Sequence, residues 1–270
     1  MHQTAGSYWQ EFEVWLTFIE AERARLKAAG GLHVSEPLYR GHADSSWNLE
    51  STLERYFPQR TQVNDYYQRV CQARSQIEAH TGRTWNPMSP QEYERYVGKT
   101  KMHSLPGDGT VEYLAYLRHH GFPSPLLDWT QSPYVAAYFA LGPAAARTER
   151  VAIYAFIEHA GYGKGSTSSV PAIRTIGSFI KAHRRHFLQQ SEYTFCVVRQ
   201  DEHWHYASHE FAVESNLDGP QDLVYRFTLP VRERTAALRH LDRFNLNAFS
   251  LLGSEESLME TVAQRTLAAE

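Results

Sequence analysis

Three short stretches of the chain combine a polar side chain with a local pattern that could present it to a ligand. The first is Tyr39–Arg40–Gly41–His42, where an arginine at the end of a short strand is followed by glycine. A guanidinium forms paired hydrogen bonds with phosphate, and glycine allows a close backbone approach. The alternative is an ordinary ion pair between Arg40 and an acid such as Asp44, and the tripeptide alone favours that alternative.

The second stretch places an acid at the end of an apolar run, directly before a predicted helix. The helix begins at Ser132–Pro133, because serine caps a helix and proline is tolerated at the first helical position. The positive end of this helix would face Asp128 and Thr130, which gives a usable site for an anion or a sugar hydroxyl. In the structural alternative, Asp128 caps the turn, Trp129 belongs to the core and His120 ends the preceding helix. Both interpretations stay open.

The third stretch, Gln189–Gln190–Ser191–Glu192, leads into the apolar strand YTFCVV. Side chains two residues apart point to the same face of a strand, so Gln190 and Glu192 would face one site. A polar strand edge facing solvent explains the same pattern, and taken singly it is the better explanation.

A metal site is not predicted. His203 and His205 could place two imidazoles on one side of a strand, as a metal site requires. No third ligand lies near them at a spacing typical of metal sites. The chain has 14 histidines, so pairs of histidines are expected by chance.

The composition indicates a globular protein of a reducing compartment. The 270 residues are 42% hydrophobic, and the net charge of −3 gives no reason to expect tight, nonspecific binding of nucleic acid, although a local basic groove stays open. Cys71 and Cys196 lie far apart, which argues against a disulfide framework. No apolar stretch is long enough to cross a bilayer, and no basic leader precedes an apolar run. We therefore expect a cytoplasmic protein without membrane contact.

The order of the predicted elements favours a single α+β domain over residues 1–270. An aromatic stripe that includes Trp9 and Trp15 predicts an N-terminal helix within residues 1–31, and residues 60–105 read as a helical insertion. Strands follow later, and residues 223–270 supply a last strand and helices. Because helices and strands do not alternate strictly, the pattern disfavours a doubly wound fold.

The first two stretches together resemble the FRG domain of bacteria, which is named for its aromatic-Arg-Gly motif. That family pairs an FRGQ-like stretch with an H-x-G-x-P-T-x-LLDWT-like stretch and a helix of the type S-P-x-x-A-x-x-F-A. Residues 38–57 and 113–140 match this pattern, and QQSEYTF and FNLNAFSLL look like later motifs of the family. The chain departs from the pattern at four positions, which are Tyr39 for Phe, His42 for Gln, Pro125 for a common Arg, and Ser191 for Gly.

A more distant likeness is to the arginine-type ADP-ribosyltransferases. These carry an aromatic-Arg-Gly strand, then a strand ending Ser-Thr-Ser before a helix, and later a strand that begins Glu/Gln-x-Glu. The three stretches of this chain follow in the same order, although Asp-Trp-Thr replaces Ser-Thr-Ser. The resemblance implies a mixed, mainly antiparallel sheet of the ADP-ribosyltransferase type and a cleft that binds NAD as substrate.

The same resemblance implies roles for individual residues. Glu192 would hold a ribose hydroxyl and stabilise the positive charge that develops on the ribose, and Gln190 would orient the acceptor. Arg40 would hold a phosphate or ribose, while Asp128 would shape the cleft or hold a hydroxyl. The other residues expected around NAD are Tyr39, Gly41, His42, His120, Trp129, Thr130, Tyr138 and Gln189, with Tyr39 or Trp129 stacking on nicotinamide.

Three functions follow as hypotheses. The first is an enzyme that transfers ADP-ribose to an unknown acceptor (protein, nucleic acid or small molecule) or cleaves NAD, as a bacterial toxin or phage-defence effector with room for an antitoxin or immunity partner. The second is a nuclease or other nucleic-acid effector that uses Arg40, His120 and Asp128 on phosphate. It is disfavoured because no cluster of carboxylates for a metal is visible. The third is a non-catalytic module that binds a nucleotide or a partner.

Overall fold

One open sheet flanked by helices organises the molecule. The computed structural model describes residues 1–107, 109–142, 145, 147–164, 170–177, 184–214 and 221–267. Within these ranges the strands are β1 His2–Ala5, β2 Leu38–His42, β3 Leu127–Thr130, β4 Arg150–His159, β5 Ala172–Thr175, β6 Ser191–Gln200, β7 His203–Tyr206 and β8 Gln221–Pro230. The helices are α1 Glu11–Ala29, α2 Thr52–Tyr56, α3 Val63–Thr81, α4 Pro90–Thr100, α5 Thr110–His119, α6 Pro133–Ala140, α7 Arg184–Leu188, α8 His209–Glu214, α9 Arg234–Arg243, α10 Ala248–Leu252 and α11 Glu255–Leu267.

The strand order is β1-β8-β4-β2-β3-β6-β5, and β7 also pairs with β6. Only β1 runs parallel to its neighbour, with His2 opposite Tyr225 in β8, and the other pairs of described strands are antiparallel. The predicted α+β class, single domain and mixed, mainly antiparallel sheet are confirmed.

The sheet carries apolar side chains on both faces, as alternation along a buried strand requires. Ile153 and Phe227 face α1, α6 and α9, while Phe195 lies on the same face beneath the helices of the insertion. Trp129 and Phe156 belong to the cluster on the opposite face. The first face therefore holds two separate clusters.

The structure adds one strand near the N-terminus that the sequence did not predict. The helix predicted within residues 1–31 begins only at Glu11, and His2–Ala5 form a strand at the sheet edge. All four residues of this strand are exposed, so its sequence carries no alternation that could reveal it. The helices α3 and α4 lie within residues 60–105, and β8 is followed by α9, α10 and α11.

Gly41 allows β2 to pack directly on a helix. A Cβ atom at this position would lie 2.0 Å from the carbonyl oxygen of Ala136 and 2.6 Å from the backbone nitrogen of Ala140. Both atoms belong to the backbone of α6, which cannot rotate away as a side chain can. Glycine here fixes the distance between β2 and α6.

We expect Gly41→Ala to lower the free energy of unfolding by about 3 kcal/mol, the upper part of the range for overpacking, because the clash is with backbone. Gly98→Ala is the matched control. Gly98 lies within α4 with open space around its Cα, so alanine there is expected to stabilise by about 0.5–1 kcal/mol. Chemical denaturation of both variants measures the two effects. An unchanged stability of Gly41→Ala would contradict the packing described.

Candidate functional site

The three stretches singled out in the sequence lie on neighbouring strands. Tyr39 of β2 pairs with Thr130 of β3, and Thr130 pairs with Ser191 of β6. The next residues in register on β3 and β6 are Trp129 and Glu192. The sheet therefore brings Tyr-Arg-Gly, Asp-Trp-Thr and Gln-Ser-Glu side by side, in the order β2-β3-β6.

Arg40 bonds the backbone of β3 where the β2–β3 ladder stops. Tyr39 and Thr130 form the one ladder pair between these two strands. Beyond that pair, the Nη1 of Arg40 donates a hydrogen bond to the carbonyl oxygen of Asp128, and its Nε donates to Nε2 of His42 at 2.9 Å. The guanidinium thus holds together two strands whose own hydrogen bonds have ended.

Burial sets the protonation of this pair. It lowers the pKa of Arg40 to about 10, with the Asp128 charge opposing, so Arg40 stays cationic near neutral pH. Burial, and then the charge of Arg40, lowers the pKa of His42 to about 3. His42 is consequently neutral, which leaves its Nε2 free to accept the hydrogen bond from Arg40.

A cavity of about 320 Å³ opens beside Arg40, between β2, β3 and α6. We call it the arginine pocket. Its polar lining includes Arg40, Arg118, His119, Asp128 and Gln189. Nη2 of Arg118 donates to the Asp128 carboxylate at 2.5 Å, and Nη1 of Arg40 lies 4.0 Å from the same carboxylate oxygen. Two cations therefore converge on one half-buried acid.

Two imidazoles meet a buried tyrosine behind this pocket. Nε2 of His119 lies 2.5 Å from the hydroxyl oxygen of Tyr193, and Nδ1 of His186 lies 3.3 Å from it. The ring of His186 stacks on Tyr193, while His119 meets it edge-on. Since Tyr193 pairs with Asp128 across the sheet, this cluster positions His119 at the wall of the arginine pocket.

Glu192 lines a second cavity, of about 740 Å³, which we call the glutamate pocket. Its lining includes Gln190, Gln131 and two residues of α1, Leu16 and Glu20. Glu192 is 4% exposed; its Oε1 accepts a hydrogen bond from the Gln131 amide at 2.8 Å, and its Oε2 has no partner among the described residues. Burial raises the pKa of Glu192, and the bond from Gln131 opposes that rise.

The predicted site residues are thus divided between two adjoining cavities. Tyr39, only 4% exposed, lines both of them. The arginine pocket also receives Arg40, Gly41, Asp128, Trp129, Thr130 and Gln189, whereas the glutamate pocket receives Gln190 and Glu192. Arg40, Asp128 and Glu192 therefore lie on adjacent strands but do not line one common cavity.

Three predicted residues lie outside both cavities. His42 lies beneath Arg40 and supports it. His120 packs against Tyr116 at the end of α5, away from the pocket lining. Tyr138 is buried in α6, and its hydroxyl donates to Glu260 at 3.4 Å.

Trp129 lines the arginine pocket but is held in the core. It is buried, its Nε1 donates to the Thr194 hydroxyl at 2.8 Å, and its ring packs on Phe156. Stacking on a ligand would require it to leave these partners. Tyr39, the other aromatic residue expected to stack on nicotinamide, is equally buried but lines both cavities.

Arg118, His119 and Gln131 are pocket residues that the sequence reasoning missed. The H-x-G spacing of the FRG pattern points to His119 rather than His120, because Gly121 follows two residues later. Gln131 directly follows the LLDWT stretch, although nothing in the pattern marks it. For Arg118 no sequence signal was present, since arginine near the end of a helix ordinarily complements the helix dipole.

Among the residues that the structure describes, no group of three or more His, Cys, Asp or Glu side chains is arranged to hold a metal ion. In the same ranges, no helix has the length and apolar character needed to span a membrane.

We expect His42 to make the folded protein sensitive to acid. The pKa of His42 is about 3 in the folded state and about 6.5 in the unfolded chain, so below pH 6.5 the unfolded chain binds the extra proton. The free energy of unfolding should fall by about 2 kcal/mol between pH 7 and pH 5 through this residue. His42→Gln, which can still accept from Arg40, removes this loss. Equal slopes for wild type and His42→Gln in urea unfolding against pH would contradict a buried, neutral His42.

Comparison with known proteins identifies one region of the chain. No curated protein and no solved structure gave a match. Residues 35–149 match the family model described as the FRG domain, and this range contains the predicted motif stretches 38–57 and 113–140. The matched range includes β2, β3 and α6 and ends before β6, so Glu192 lies outside it. Residues 35–149 are therefore similar to the FRG domain, as the two paired motifs had indicated.

Proposed function

We propose that this protein binds NAD across the arginine and glutamate pockets and breaks the bond between nicotinamide and ribose. The observation that carries the proposal is the state of Glu192. It is a buried carboxylate with one oxygen unpartnered among the described residues, it lines a large cavity, and its strand lies next but one to that of Arg40. A buried acid without partners is costly, and sites of this kind are commonly functional.

The reaction needs a carboxylate at this place. When the nicotinamide–ribose bond breaks, its electron pair leaves with nicotinamide and positive charge develops on the ribose. An anion that holds a ribose hydroxyl stabilises this charge more in the transition state than in the ground state. ADP-ribose then bonds to the acceptor, which gives up its proton; where the acceptor is water, the outcome is NAD hydrolysis. Glu192 takes the role of the anion, with Gln131 holding its other oxygen.

The two pockets suit the opposite charges of NAD. Its pyrophosphate is negative, and Arg40 places a cation in the arginine pocket. Its nicotinamide ring is positive, and the glutamate pocket is lined by Glu192 together with Glu20. Tyr39 forms part of both walls, so the dinucleotide would pass over it from one pocket to the other, with nicotinamide against its ring.

Gln190 is placed to meet an acceptor. It is exposed at the start of β6, with φ of 47°, and it lines the glutamate pocket two residues before Glu192. Its amide can both donate and accept hydrogen bonds, which suits an acceptor of protein, nucleic acid or small-molecule origin. An enzyme that consumes NAD threatens the cell that makes it, so we also expect an antitoxin or immunity partner.

A non-catalytic module that binds a nucleotide is the competing function. It uses the same Arg40 and Asp128 but has no need of a buried carboxylate at position 192. A nuclease would place its chemistry at phosphate in the arginine pocket and would leave Glu192 equally unused. Glu192 therefore separates catalysis on NAD from both alternatives.

We expect Glu192→Gln to slow nicotinamide release from NAD by roughly 10²–10³-fold, the loss typical of one stabilising group in the transition state. Glutamine keeps the shape and the contact with Gln131, so the melting temperature should not fall. Glu94→Gln, which changes an exposed carboxylate on α4, is the control and should retain wild-type turnover. The assay follows labelled nicotinamide. Absence of release by the wild type, or full turnover by Glu192→Gln, would refute the assignment.

A further inference from the structure

Arg118 brings a second guanidinium to the arginine pocket, from outside the three motif strands. It lies near the end of α5, its side chain is 16% exposed, and it lines the cavity opposite Arg40. The Asp128 carboxylate, 38% exposed, is the one acid among the residues that line this pocket. Two permanent cations therefore share one anion.

Among the described residues, the two guanidiniums make only three hydrogen bonds. Nη2 of Arg118 binds Asp128, but its Nε is buried and finds no acceptor within the described ranges. Arg40 donates one hydrogen bond from Nε to His42 and one from Nη1 to the Asp128 carbonyl oxygen. Each guanidinium has five N–H donors in a planar fork, so both retain donors for a further acceptor.

The charges that line the pocket favour an additional anion. A buried or half-buried cation without a compensating charge is costly, and Asp128 can balance only one of the two. A third cation, Arg55, lies near enough to contribute to the lowered pKa of Arg40. An ion pair with a purely structural role would be expected to balance its charges and close the space between them. Here a cavity of about 320 Å³ remains.

We propose that Arg118 and Arg40 form a two-guanidinium subsite for the phosphate groups of a phosphorylated ligand, with Asp128 as the internal counter-ion. Arg118 and Arg40 approach the cavity from different elements, α5 and β2, so two adjacent phosphates can each receive one fork. Asp128 holds Arg118 in position and keeps the free site from carrying two unbalanced charges.

The ligand class favoured by this arrangement is one that carries two adjacent phosphates. Naming NAD as that ligand rests on the proposed function, whereas the phosphate subsite does not, because it makes no use of Glu192. If both proposals hold, Arg118 binds a part of NAD remote from the bond that breaks. Such a contact acts equally on ground state and transition state, so its loss raises KM and leaves kcat unchanged.

The test uses the full chain and two probes, inorganic pyrophosphate and ADP-ribose, with binding measured by calorimetry. We expect Arg118→Gln to weaken both by roughly 10- to 100-fold, the effect of losing hydrogen bonds to a charged group. Arg118→Lys, which keeps the charge but loses the fork, should give an intermediate loss. Arg95→Gln removes an exposed arginine of α4 and should bind as the wild type does. Melting temperatures establish that each variant is folded.

The outcomes separate this subsite from the proposed function. If ADP-ribose binding depends on Arg118 but the protein does not cleave NAD, the phosphate subsite is supported and the proposed enzymatic activity is refuted. If folded Arg118→Gln cleaves NAD with unchanged KM and kcat, the proposed enzymatic activity is supported and the phosphate subsite is refuted. Failure of the wild type to bind either probe, or equal weakening by Arg95→Gln, also overturns the subsite.

Discussion

The site depends on how β2 and β3 are joined. Their backbones share one ladder pair, Tyr39 with Thr130, and beyond it the Arg40 guanidinium bonds the Asp128 carbonyl. This bond is held in place because the guanidinium is largely buried and is fixed at its other end. His42 fixes it, and does so because burial keeps that imidazole neutral. The same arginine consequently stabilises the sheet and lines the cavity that the interrupted ladder leaves.

The guanidiniums and the Glu192 carboxylate lie in different cavities along the sheet. Cations collect in the arginine pocket, where the strands part, while the carboxylate of Glu192 lies one strand further on. Tyr39 belongs to both linings, so the cavities adjoin rather than lie on distant surfaces. A ligand with a negative centre and a positive end would match both pockets at once, which is why we propose NAD rather than a single phosphate as the ligand.

Much of this could be predicted from local sequence, and the reason differs from residue to residue. The Ser132 cap and the apolar run before Asp128 encode a strand followed by a helix, and the structure has β3 and α6 there. Gly41 was predicted to admit a ligand; it also admits the backbone of α6, a contact made with residues almost a hundred positions away. Arg118 could not be predicted, because its role arises only when α5 packs beside β3. The division into two cavities likewise depends on strand spacing, which no motif encodes.

The central claim is that the arginine and glutamate pockets hold the two ends of one molecule. A crystal structure with a non-cleavable NAD analogue tests it most directly. The account predicts the pyrophosphate within hydrogen-bond distance of Arg40 and a hydroxyl of the nicotinamide ribose against the unpaired oxygen of Glu192. An analogue bound with its nicotinamide ribose away from Glu192, or bound outside both pockets, would contradict it.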